Sequence, residues 1–163
     1  MHFVLDQNFP IQVTALPWPP SVVLSRLSDI DPTLTRDYDD WEVIRTLGRQ
    51  AGIDAFITND SHMLRLPAEM VALQDSGLIL VVTDGVGHDP VRATGLLMAH
   101  LLEITRRPRD RDAIYVLKPI ALRPNSPGSE INRIASHRHV SPAQLITEER
   151  QRMQQALISR GRQ

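Results

Sequence analysis

Five short apolar runs, separated by segments with helical periodicity, constrain the fold of this chain more than any other feature. The runs are HFVLD, SVVLSRLSDI, AFITND, LILVVTDG and AIYVLKPI, which begin at residues 2, 21, 55, 78 and 113. Short, nearly continuous apolar runs are typical of parallel strands buried on both faces. Because strands and helices alternate, we expect an α/β fold with about five parallel strands, joined by right-handed crossovers that cover both faces.

Helices are predicted between these strands. After Asp39 and Asp40, either of which is placed to cap a helix, apolar residues recur at helical spacing until Gly52 ends the helix. A helical segment interrupted near Pro67 follows the third run, and Pro90 is placed in the first turn of a helix that ends near Thr105. A short helix over residues 11–16 is also expected.

Length and a change of character after residue 120 predict one domain with an extension. At 163 residues the chain is sized for a single packed core, which we assign to residues 1–120. In the extension over residues 121–163, the turn-rich segment RPNSPGSE predicts a linker. The segment PAQLITEERQRMQQALISRG predicts an amphipathic terminal helix.

Charge and cysteine usage limit the partners and the metal chemistry. Residues 1–104 contain 6 Lys and Arg against 14 Asp and Glu, whereas residues 105–163 contain 12 against 5. The basic part either screens a phosphate backbone near an acidic site or pairs with the acidic part of the same molecule or a neighbour. With no cysteine and no run of about 18 apolar residues, we expect a cytoplasmic protein, not bound to membranes, whose metal ligands are oxygen or imidazole.

Three aspartates fall at related points of the predicted architecture. Asp6 ends the first strand, Asp40 begins a helix, and Asp60 ends the strand that follows this helix. Parallel sheets bind ligands at the carboxyl ends of their strands, and Mg²⁺ or Mn²⁺ prefers oxygen ligands, so we expect these acids to share a cation that activates water against a phosphodiester. Each acid also has a simpler interpretation, as an Asx-turn at Asp6 and as helix caps at Asp40 and Asp60. Supporting polar candidates are Asn8, Asp39, Thr58, Asn59, His62 and Asp84.

Two segments carry a resemblance to a known family. FVLDQN resembles the opening of PIN domains, and DDWEVIRTLGRQAGIDAFITND resembles their later motif, an acid-capped helix leading through glycine into a strand that ends in Thr-x-Asp. The likeness is strongest to compact PIN-like proteins related to VapC-type toxins, and it covers residues 2–119. It implies a Rossmann-like three-layer sandwich and an Mg²⁺- or Mn²⁺-dependent ribonuclease with Asp6, Asp40 and Asp60 as metal ligands. Relatives of this kind are often toxins paired with an antitoxin protein, and many form homodimers.

One departure from the family pattern concerns a further acid. Longer PIN domains carry it on a helix between the two motifs, and here only Asp29, Asp31 and Asp37 occupy that stretch, with no predicted helix.

Two other functions fit the pattern. A PIN-like fold that no longer cleaves RNA would act as a binding module through its basic terminal helix. A phospho-receiver domain would use Asp60, Thr83 and the pair Lys118 and Pro119, but Gln7 stands where receivers carry a second acid, and the spacing from Thr83 to Lys118 is long.

Overall fold

A computed structural model describes residues 1–9, 11–35, 38–86, 89–107, 113–118 and 122–160 of the chain. Within these residues the strands form a six-stranded sheet with the order β2-β1-β3-β4-β5-β6. Their bounds are β1 His2–Leu5, β2 Val23–Arg26, β3 Ala55–Thr58, β4 Ile79–Thr83, β5 Ile114–Leu117 and β6 Leu122–Asn125. Strands β1 to β5 run parallel, and β6 pairs antiparallel with β5. The predicted α/β fold with five parallel strands is therefore confirmed, with one antiparallel strand added.

Four of the described helices lie where helical periodicity predicts them, and two more lie in segments that were predicted as a strand and a linker. They are α1 Leu27–Ile30, α2 Asp40–Arg49, α3 Pro67–Ser76, α4 Pro90–Arg106, α5 Pro127–Arg138 and α6 Pro142–Arg160. Short 3-10 helices cover Ile11–Ala15, Pro32–Thr35 and Ser61–Arg65. In the described part of the chain, no helix is both long enough and apolar enough to cross a membrane.

Helices cover both faces of the sheet, which gives three layers. On one face, Val4, Phe56 and Leu80 of the strands pack with residues of α2, α3, α5 and α6. On the other face, Leu5, Ile57 and Val81 pack mainly with α4 and with Val13 of the first 3-10 helix. Alternate strand residues therefore enter opposite cores, as expected for a sheet buried on both sides.

The connections from β3 to β4 and from β4 to β5 do not both have the predicted right-handed crossover. Strand order advances in one direction from β3 through β4 to β5, yet α3 lies on one face of the sheet and α4 on the other. Two crossover connections that move in the same direction across the sheet but pass over opposite faces have opposite handedness. The prediction that every crossover is right-handed is therefore wrong for one of these two connections.

The C-terminal part differs from the predicted linker. Leu122–Asn125 is a strand and Pro127–Arg138 is a helix, so RPNSPGSE contains the end of β6 and the start of α5. Ser126 caps α5 by accepting a hydrogen bond from the backbone N–H of Ser129 at 3.1 Å, and Pro127 occupies the first turn. The predicted terminal helix is confirmed as α6. Helices α5 and α6 bury Ile131, Ile134, Leu145 and Met153 in the same core as α2 and α3.

Only four of the ten residues of the second apolar run form a strand. It pairs with β1 through Val23–Arg26, and the chain then turns into the four-residue helix α1. The predicted fifth strand is described from Ile114 to Leu117, and its expected end at Pro119 and Ile120 lies outside the described residues.

Candidate functional site

The site predicted at the carboxyl ends of the strands lies between β1 and β3. The chain leaves β1 toward the face that contains Val13, and it leaves β3 toward the opposite face, which contains α3. Connections that diverge in this way open a crevice at the carboxyl edge, where ligands bind in open α/β sheets. Asp6 follows β1 directly, and its N–H donates to the Ile57 carbonyl of β3 at 2.9 Å. Asp6 is thereby held at the mouth of this crevice.

Thr58 connects Asp6 and Asp60 through its hydroxyl group. Its Oγ1 donates to Oδ2 of Asp6 at 3.2 Å and accepts the backbone N–H of Asp60 at 3.0 Å. Thr58 is fully buried, so the geometry of both bonds is fixed by the packed end of β3. Asn8 adds a third contact, since its Nδ2 donates to the same Asp6 oxygen at 3.1 Å. Two of the supporting candidates therefore orient Asp6.

Asp60 also caps a helix, as the simpler of its two interpretations predicted. Its Oδ1 accepts the backbone N–H of His62 at 2.8 Å and so begins the 3-10 helix Ser61–Arg65. His62 takes part through its backbone, and its side chain is exposed. Asn59 lies half-buried between Thr58 and Asp60. One carboxyl oxygen of Asp60 is used by the cap, and the residue remains exposed at the sheet edge.

The start of α2 distinguishes the roles of Asp39 and Asp40. Asp39 is the N-cap, and its backbone N–H donates to Oε2 of Glu42 at 3.0 Å. Asp40 is the first helical residue, so its carboxylate is not needed for capping. A negative charge in the first turn is favoured by the helix dipole, and this favours an ionised Asp40 at the crevice.

Electrostatic effects show that the three predicted acids lie near one another. The pKa of Asp40 is raised to about 6, mainly by removal from water and in addition by the charges of Asp6, Asp60 and Asp39. Asp40 is nevertheless exposed, so its removal from water is partial. Burial likewise raises the pKa of Asp6, against the hydrogen bonds from Thr58, Gln7 and Asn8, and the charge of Asp60 adds to the rise. Folding thus brings together three acids distant in sequence.

The chemistry of these ligands suits a hard cation, but their spacing does not close a coordination shell. Within the described residues, no group of three or more His, Asp and Glu side chains is arranged to hold a metal ion. Mg²⁺ usually keeps several waters and binds through one or two carboxylates, so a complete protein shell is not required. Asp6, Asp40 and Asp60 offer the oxygen ligands that such an ion prefers, without forming a complete shell.

The remaining candidate acids lie in other contacts. Asp84 follows β4 and forms an ion pair with Nζ of Lys118 at 3.1 Å. Asp29 lies in α1 and accepts the Arg26 N–H at 3.3 Å, so a short helix does exist in the stretch where none was predicted. Asp31 accepts from the backbone and hydroxyl of Thr33, whose hydrogen bonds lower the pKa of Asp31. Asp37 lies outside the described residues.

Two buried glutamates beside the site were not predicted from the sequence. Glu42 is 4% exposed, and Glu69 of α3 is 6% exposed. Burial, followed by the charges of Asp40, Asp39 and Glu149, raises the pKa of Glu69 to about 7 against its own backbone hydrogen bond. For Glu42 a signal was available, because an acid three residues after a cap is the pattern of a capping box.

Arginines of the C-terminal part pair with acids of the same molecule. Arg150 forms an ion pair with Asp75 of α3, and Nη1 of Arg160 lies 2.6 Å from Oε2 of Glu42. Arg138 and Arg152 lie 3.7 Å and 3.8 Å from Glu149, and Arg133 lies 2.7 Å from Glu130. Of the two interpretations of the basic segment, pairing within the molecule accounts for these five side chains.

Comparison with known proteins identifies no relative. The chain matches no protein-family model, and neither the curated proteins nor the solved structures contain a significant match.

Proposed function

We propose that this protein is a metal-dependent ribonuclease of the PIN type, in which Asp6, Asp40 and Asp60 hold Mg²⁺ or Mn²⁺. The observation that carries the proposal is that, after burial, the charges of Asp6 and Asp60 raise the pKa of Asp40, so the three carboxylates lie near one another. Acids drawn together raise one another's pKa, and a divalent cation relieves that repulsion. The bound ion would supply a water of lowered pKa and would stabilise charge on the scissile phosphate.

The residues of this chain position the carboxylates. Thr58 and Asn8 donate to Oδ2 of Asp6, and the backbone N–H of Gln7 donates a further hydrogen bond to the same carboxylate. Asp60 is oriented by the backbone contact to Thr58 and by the N–H of His62. Asp40 stands on the first turn of α2, where the helix dipole stabilises its anion. Pre-organised ligands of this kind reduce the free-energy cost of binding an ion in the reactive geometry.

The biological role that we propose also rests on the resemblance to PIN domains. A PIN-type ribonuclease related to VapC-type toxins would act on RNA in the cytoplasm, would be inhibited by an antitoxin protein, and would form a homodimer. Growth arrest on expression of the intact protein, lost with Asp6→Asn, would support the toxin role.

Purified protein incubated with mixed RNAs and Mn²⁺ tests the activity. We expect cleavage that EDTA abolishes and that Asp6→Asn, Asp40→Asn and Asp60→Asn each reduce by at least about a hundredfold, the scale on which metal-ligand and charge-stabilising groups act. Asp75→Asn is the matched control. Asp75 lies on α3, and its carboxylate pairs with Arg150 of α6 and not with the proposed metal site. Cleavage that persists in all three variants while each retains wild-type unfolding would disprove the assignment.

The phospho-receiver alternative is less well supported. Its lysine would have to contact the phosphate on Asp60, whereas Lys118 pairs with Asp84. Labelling of Asp60 by acetyl phosphate would favour the receiver.

A further inference from the structure

A cavity of about 390 Å³ lies beside the site, between the first turns of α2 and α3 and one face of α6. Its walls include apolar side chains, among them Trp41 and Met153, and its charged groups are Asp39, Glu69, Glu149, Arg138 and Arg152. It does not include Asp6 or Asp60 in its lining. The cavity is therefore a separate feature from the crevice between β1 and β3.

Two buried carboxylates in this cavity have oxygens without a hydrogen-bond partner. Glu69 is 6% exposed and Glu149 is 5% exposed. Among the described residues, Oε2 of Glu69 and Oε2 of Glu149 have no hydrogen-bond partner. Leaving a charged acceptor unpaired away from water costs several kcal/mol, so groups of this kind are normally satisfied by a donor. The two carboxylates also interact, since the charge of Glu149 raises the pKa of Glu69.

The arginines of the cavity do not satisfy these oxygens. The closest ion-pair distances from Glu149 are 3.7 Å to Arg138 and 3.8 Å to Arg152, which are too long for hydrogen bonds. The side chains of Arg138 and Arg152 are 50% and 80% exposed, so their charges lie mostly in solvent. With three carboxylates and two guanidinium groups, the lining has an excess of negative charge on its buried side.

We propose that this cavity binds a small organic cation, an ammonium or guanidinium group on an aliphatic stem, with its N–H donors directed at Glu69 and Glu149. A hydrogen-bond donor with positive charge satisfies both free oxygens, and the apolar walls accept the stem. A metal ion fits less well, because the apolar part of the lining, which includes Trp41 and Met153, offers it no ligands. The raised pKa of Glu69, about 7, agrees with a carboxyl group that lacks a cationic partner.

The two tryptophans of the chain provide a direct test. Trp41 lines the cavity, whereas Trp18 packs on the opposite face of the sheet. We would titrate isotope-labelled protein with n-butylammonium at pH 8 in EDTA and constant salt, and follow the two indole N–H signals, assigned with Trp18→Phe. We expect a saturable shift of the Trp41 signal at millimolar concentration and none of the Trp18 signal. Butanesulfonate, with the same stem and opposite charge, should leave both signals unchanged.

Matched variants locate the binding. Glu69→Gln and Glu149→Gln should each weaken binding of butylammonium at least tenfold. Glu148→Gln, one residue away on α6 and exposed, should bind as the wild type does. The proposal is overturned if Trp41 does not respond, if butanesulfonate produces the saturable shift, or if Glu148→Gln weakens binding as much as Glu149→Gln. Because chelator is present and RNA is absent, the outcome is independent of the proposed nuclease.

Discussion

Thr58 and Asp6 are joined across adjacent strands by a hydrogen bond of 3.2 Å from Oγ1 to Oδ2. The same hydroxyl oxygen accepts the N–H of Asp60, so one buried side chain sets the positions of two of the three acids. The proposed metal site therefore depends on a neutral residue that would not itself bind the ion.

Replacing Thr58 by valine should disturb the site while preserving its shape. We expect the free energy of unfolding to fall by about 1–3 kcal/mol, because the partly buried N–H of Asp60 loses its acceptor. The pKa of Asp6 should rise further, since the hydrogen bond from Thr58 is the largest effect that lowers it. Urea unfolding and a carbon NMR titration of the carboxyl groups measure both changes. Thr58→Ser, which keeps the hydroxyl, should leave the pKa of Asp6 near its wild-type value; equal shifts in the two variants would contradict this role.

The pKa of Asp40 predicts how metal binding depends on pH. Asp40 titrates at about 6 and must lose its proton to act as a ligand. Mn²⁺ affinity should therefore fall by about tenfold for each pH unit below 6 and should level off above pH 7. Calorimetry in buffers of different ionisation enthalpy measures the affinity and the protons released. An affinity that is constant between pH 5 and pH 7 would show that Asp40 is not a ligand.

Sequence reasoning located the strand ends because the physical signals there are local. A short apolar run that stops at a polar residue marks the end of a buried strand, and this placed Asp6 and Asp60 at one sheet edge. The edge strand β6 was not predicted because it contains Pro124. A proline usually indicates the end of a strand, but it is tolerated in a strand at the edge of a sheet. The segment at Ser126 and Pro127 is equally typical of a turn and of a helix start, so local signals could not separate a linker from α5.

Glu69 could not be predicted for a different reason. It lies on α3, and its burial depends on α6, which contributes Glu149 and Met153 from about eighty residues further along the chain to the same cavity. Such a contact leaves no trace in the local pattern of α3. The missing hydrogen-bond partner of Glu69 emerges only from the tertiary packing.

Glu69 should make stability depend on pH. Its folded pKa of about 7 lies above the ordinary value of 4.5, so the folded state binds the proton more tightly, and stability falls as pH rises from about 4.5 through 7. Glu69→Gln should therefore be more stable than the wild type at pH 8, by up to roughly 3 kcal/mol, and equally stable at pH 4. Urea unfolding at both values measures the difference. A difference that is the same at pH 4 and pH 8 would rule out this titration.

The pair of Arg160 and Glu42 should contribute measurably to stability. Nη1 of Arg160 lies 2.6 Å from Oε2 of the buried Glu42, and its guanidinium group lies 5.3 Å from the ring centre of Tyr38. Arg160→Gln leaves the Glu42 charge with fewer donors, and we expect a loss of about 2 kcal/mol in the free energy of unfolding. Arg92→Gln is the control: its pair with Asp89 is 72% and 43% exposed, and its loss should cost less than about 1 kcal/mol. Equal losses of unfolding free energy in Arg160→Gln and Arg92→Gln would show that the ion pair between Arg160 of α6 and Glu42 of α2 contributes no more than an exposed pair.

Two helical glycines should respond in opposite directions to the same substitution. A Cβ at Gly48 of α2 would lie 2.4 Å from Cβ and 3.2 Å from Cα of Ser76, at the end of α3. Neither atom belongs to the far end of a flexible side chain, so Gly48→Ala requires α2 and α3 to separate, and we expect a loss of about 1–3 kcal/mol. At Gly95 of α4 an added Cβ meets no atom within 4 Å, and Gly95→Ala should stabilise by about 0.5–1 kcal/mol through helix propensity. Because α2 also carries Asp40, Gly48→Ala should weaken Mn²⁺ binding and Gly95→Ala should not. If both substitutions stabilise the protein, the backbone of α2 at Gly48 does not approach Ser76 of α3 as closely as the distances above require.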